Sequence, residues 1–121
     1  MLQRDDDEHP IPEFLHRMLV QIAEAFSAGD FRLEIHPVEG VLPVRDEVAE
    51  AISQNVAAFG DRLMPLDAAT WEHSCYRWMG SHWVMIVDLS TSREPVSDLT
   101  LHLRMDDSPA RTCEVQSVHV P

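Results

Sequence analysis

The chain contains no lysine, and all nine of its basic residues are arginines scattered singly along its 121 positions. Against them stand 21 acidic residues, giving a formal net charge of −12. Such a surface repels phosphate backbones, which argues against nucleic acid and anionic membrane as partners; the charge either keeps a small protein in solution or steers it towards a basic partner. Cysteine is scarce too. Cys75 and Cys113 are too few and too far apart for a disulfide scaffold, so both are expected as free thiols. Long apolar runs are missing: the longest unbroken stretch is Trp83–Val87, whereas a bilayer span needs roughly 20 residues. The opening MLQRDDDEHP is acidic rather than apolar, opposite to a secretory signal, and a cytoplasmic location is expected.

What is present is the composition of one globular domain, 45% hydrophobic. Residues 1–9 are polar and mostly acidic and read as a flexible arm, with a single domain over 10–121. After Pro12, EFLHRMLVQIAEAFSAG carries Phe14, Leu15, Met18, Leu19, Ile22 and Phe26 at helical spacing. DFRLEIH alternates Phe31, Leu33 and Ile35 with polar residues and reads as a short strand. RDEVAEAISQNVAAFG returns to helical period through Val48, Ile52, Val56 and Phe59, with acids at its start and Gly60 at its end. A loop is expected over Asp61–Thr70, followed by strands at Trp71–Trp78, Trp83–Leu89, Leu99–Met105 and Thr112–Val120. The sum is an α+β fold, two amphipathic helices on one face of a curved, mainly antiparallel sheet of about four strands.

WEHSCYRWMGSHW, Trp71–Trp83, gathers all three tryptophans, the single tyrosine, His73, His82 and Cys75. A two-residue turn at Gly80–Ser81 pairs Trp78 with Trp83, Tyr76 with Met85, Arg77 with Val84, Cys75 with Ile86 and His73 with Asp88. One face is then an aromatic and methionine ladder, and the other is small, apolar and partly charged. WVMIV is apolar on both alternations, so its strand asks for cover on both sides. No CxxC, HExxH, GxSxG, P-loop or GxGxxG occurs, and Asp106–Asp107 sit in a turn-forming DDSPA. No catalytic residue, metal ligand or cofactor is therefore assigned. The candidates for contact with a partner or ligand are Tyr76, Arg77, Trp78, His82, Trp83 and Asp88.

In size, charge and style the chain resembles acidic immunity-type proteins that neutralise cationic toxin domains. WVMIVDLSTSREPVSDLTL is similar to uncharacterised bacterial α+β domain families. The first resemblance implies a non-enzymatic binding protein with a basic partner. An alternative is a cone-shaped pocket of nuclear-transport-factor-like or cystatin-like type, with Tyr76, Trp78, His82 and Trp83 at its mouth and Asp88 as a base. A homodimer through the sheet is compatible with either.

Overall fold

The computed structural model describes residues 2–121. Helix α1 spans Glu13–Ser27 and α2 spans Asp46–Phe59. The strands are β1 (His9–Pro10), β2 (Leu63–Met64), β3 (Cys75–Trp78), β4 (His82–Asp88), β5 (Ser90–Thr91), β6 (Thr100–Asp106) and β7 (Cys113–His119). Five of them form one antiparallel sheet in the order β1-β3-β4-β6-β7, while β2 and β5 pair separately. This is the α+β arrangement of two helices with a mainly antiparallel sheet.

Helix α1 starts at Pro12, whose φ of −66° suits a helix entry. It buries Leu15, Leu19, Ile22, Ala23, Ala25 and Phe26. Full burial of each large side chain is worth about 1.5–3 kcal/mol. Phe14, placed by its spacing on the apolar stripe, lies outside it and is 59% exposed. Helix α2 buries Ala49 and Ile52, with Val48, Val56 and Phe59 half-buried beside them. Gly60 ends it with φ +88°, its N–H reaching the Val56 carbonyl. Both helices share one core cluster with Tyr76, Trp83, Met85, Val87, Leu101, Leu103, Met105, Cys113, Val115 and Val118. The aromatic and methionine side of the hairpin thus faces the core.

Three local expectations give way. Residues 31–36 form bends instead of a strand, because the Asp30 carboxylate accepts the N–H groups of Glu34, Ile35 and His36 and wraps the chain around itself. Leu33 sits at φ +56° there, and Ile35 is 77% exposed. The strand expected from Trp71 begins only at Cys75, since Ala68–Glu72 form a 3-10 helix capped by the Asp67 side chain. The buried hydroxyls of Thr70 and Ser74 anchor that turn, Ser74 to the Thr70 carbonyl and Thr70 to the Asp88 carbonyl. Finally, the acidic N-terminal segment lies against the sheet. Leu2 is 3% exposed, and His9–Pro10 pair with Tyr76 and Cys75 at the sheet edge, a position that tolerates proline.

Candidate functional site

The β3–β4 hairpin turns at Gly80–Ser81, with Gly80 at φ +91° and the Met79 N–H donating to the His82 carbonyl at 2.8 Å. Its register pairs Cys75 with Ile86, Tyr76 with Met85, Arg77 with Val84 and Trp78 with Trp83. β6 continues the rows, setting Met105 beside Trp83, Arg104 beside Val84, Leu103 beside Met85 and His102 beside Ile86. Side chains alternate between faces along each strand, so the six candidate residues divide into two groups.

Tyr76, Trp78 and Trp83 belong to the inner face. Tyr76 and Trp83 are buried, Trp78 is half-buried, and the two indoles meet at 4.8 Å between centroids with a 57° tilt. The N-terminal segment covers this end of the face. The Gln3 N–H donates to the Tyr76 hydroxyl at 2.8 Å, and the Trp83 Nε1–H donates to the Gln3 carbonyl at 2.9 Å. The Arg4 guanidinium lies 5.6 Å from the Trp78 ring centroid and 5.2 Å from that of Trp83, and it pairs with Asp107 at 2.7 Å. His9 stacks on Tyr76 at 5.3 Å while hydrogen-bonding Asp5 at 2.7 Å.

Arg77, His82 and Asp88 belong to the outer face. Arg77 is exposed, and His82 and Asp88 are half-buried. Between them run Val84 and Ile86, also half-buried, with Arg104, His102 and Glu114 on the neighbouring strands. WVMIV therefore buries Trp83, Met85 and Val87 on one side and leaves Val84 and Ile86 half-buried on the other. His102 and His119 stack at 4.6 Å between centroids on this face, where a bulge after His102 shifts the β6–β7 register. Burial, then the neighbouring His119, holds the His102 pKa below its ordinary value, and the His102 Nε2 is buried with no hydrogen-bond partner. Asp88 receives the Thr100 hydroxyl at 3.2 Å.

His73 and Cys75, an H-x-C pair in the sequence, are separated by the strand's late start: His73 ends the 3-10 helix in an exposed turn, and Cys75 is half-buried on β3. Burial, reinforced by Glu8 and Asp88, raises the Cys75 thiol to about 11. Burial and Asp106 raise Cys113 to about 12. At both positions the surroundings favour the protonated thiol. Among the described residues, no three His, Cys, Asp or Glu side chains converge as metal ligands, and no helix is long and apolar enough to cross a membrane.

Sequence reasoning missed Leu2, Gln3 and Arg4, and with them Asp107. The signal was small but present: Leu2 is the single apolar side chain, and Arg4 the single cation, in residues 2–8.

Fold and hairpin together define a small α+β domain with one packed and one open sheet face. The chain belongs to a family described as Domain of unknown function (DUF7668), whose pattern matches residues 23–121. Neither a curated protein nor a solved structure matches the chain significantly. The hairpin lies inside the matched stretch, and the segment crossing Trp83 precedes it.

Proposed function

We propose that this domain is a non-enzymatic binding protein that docks a basic protein partner on the outer face of its sheet, in the manner of an immunity-type protein. The observation that carries the reading is the half-buried Val84–Ile86 strip, rimmed by Arg77, His82, Asp88, His102 and Arg104 on the sheet face opposite the core cluster. Aliphatic centres with arginine and polar rims are the composition of protein interfaces. A net charge of −12 steers a cationic partner towards the molecule and opposes a second copy of itself. The packing of Tyr76, Met85 and Trp83 into the core cluster favours docking at a surface over a cone-shaped pocket enclosed by the sheet.

Affinity purification from native cell extract tests the reading, with the wild type and a Val84→Glu/Ile86→Glu variant compared side by side. The wild type should retain a protein rich in lysine and arginine that elutes as salt rises, and the variant should lose it. A wild type that retrieves only itself sinks the proposal, as does a variant that retains the same partner undiminished.

A further inference from the structure

The segment Leu2–Gln3–Arg4 uses the chemistry of a bound peptide. Leu2 is a buried apolar anchor. The N–H and C=O of Gln3 are both read by side chains, the first by the Tyr76 hydroxyl and the second by the Trp83 indole N–H. Arg4 lies over Trp78 and Trp83 and ends on the Asp107 carboxylate. The middle residue is held only through its main chain, which any amino acid supplies. Specificity falls to the outer two, an apolar residue and an arginine two positions later. Such a division between main-chain bonds and side-chain pockets is how extended peptides are recognised.

Past Leu2 and the Gln3 main chain, the cover is exposed. Beyond it, Asp5–Glu8 are four consecutive acids, all exposed, in a molecule already at −12. The Arg4–Asp107 pair is itself exposed, 50% and 39% at the two side chains, so salt and water weaken it. Among the described residues, its ladder pairing with β3 is confined to His9 and Pro10.

We propose that the cleft of Tyr76, Trp78, Trp83 and Asp107 is a docking site for an extended apolar–x–Arg segment of a basic protein, and that Leu2–Gln3–Arg4 fills it in the free molecule as an intramolecular stand-in. The approach of a cationic partner draws the Asp5–Glu8 acids towards itself while offering an arginine of its own for Asp107. The inference rests on the basic-partner reading for the source of that segment. Its test uses a peptide and does not involve Val84 or Ile86, so either proposal can fail without the other.

The test uses the full chain, as wild type, Arg4→Ala and Leu2→Asp/Arg4→Ala, with the Trp83 indole N–H followed by NMR. The probe is the synthetic peptide acetyl-LQRGSG-amide, with acetyl-LQAGSG-amide as control. Removing a tethered competitor of roughly millimolar effective concentration should let the double variant bind the probe at least about tenfold more tightly than the wild type. The control should not bind, and Asp107→Asn in the double-variant background should weaken the probe. The proposal is overturned if the indole signal moves on substitution but the probe leaves it unchanged. It is equally overturned if the substitutions leave the indole signal in place, or if both variants unfold, because the segment is then a fixed part of the core.

Discussion

The carboxylate of Asp30 holds three successive backbone N–H groups, Glu34 at 3.0 Å, Ile35 at 3.0 Å and His36 at 2.7 Å. Burial raises its pKa, but the three donors outweigh burial and leave it below the usual 3.8. A group whose folded pKa is depressed stabilises the fold above its unfolded pKa, and loses that contribution as pH falls through the folded value. Asp30→Asn removes the charge and turns an amide N–H₂ towards donors, so we expect a loss of about 1–2 kcal/mol at pH 7, comparable to a lost helix cap. Denaturant unfolding measures it, and an unchanged midpoint would contradict the assignment. His102 acts in a separate window. Its folded pKa lies below 6.5, so the unfolded chain takes the proton first and stability declines as pH falls from 6.5 to the folded value. Asp30→Asn should therefore flatten the stability profile below about pH 4 and leave the decline that starts near 6.5 intact.

Among the elements, the β3–β4 hairpin turns on one backbone position. Gly80 occupies φ +91°, and a Cβ there would meet no neighbouring atom, so Gly80→Ala tests backbone strain alone. The left-handed region costs an ordinary residue about 1–2 kcal/mol, and asparagine tolerates it better. Thermal unfolding should rank glycine above asparagine above alanine at this position. Equal stability of all three would mean that the turn relaxes to another type. This hairpin was also the most legible element, because a two-residue turn and a period of two leave a single register. Which face met the core was harder to read from WVMIV alone, apolar on both alternations. The neighbour resolves it: Leu101, Leu103 and Met105 stand beside Val87, Met85 and Trp83, while His102 and Arg104 stand beside Ile86 and Val84. Alternation failed over Phe31–His36, where one acidic side chain outcompetes strand pairing for the local N–H groups. It failed differently at the N-terminus. There Leu2 and Arg4 contribute through two positions, and an acidic average conceals them.

Across the whole molecule, charge acts on folding and, under the proposed function, on binding with opposite signs. Twenty-one acids against nine bases repel one another in the compact state and less in the unfolded chain. The ion pairs that salt would weaken are few and mostly exposed, such as Arg32–Asp46 at 3.5 Å, Arg45–Glu47 at 3.5 Å and Arg104–Asp106 at 3.6 Å. Exposed pairs contribute at most about 1 kcal/mol each and often nothing measurable. Relief of repulsion should therefore win. Screening length shrinks from about 30 Å at 0.01 M salt to about 10 Å at 0.1 M, so the gain should fall mainly within that interval. A relief of about 1 kcal/mol corresponds to a rise in Tm of about 3–6 °C for a domain of this size. A calorimetric series in NaCl at fixed pH measures it. A Tm that stays flat or falls over that interval would mean that the acids are already compensated by their local partners. Under the proposed function the same screening should loosen a basic partner, because the charge opposing the fold is the charge that would attract it. Stability rising with salt while affinity falls is the joint behaviour expected of an acidic docking domain.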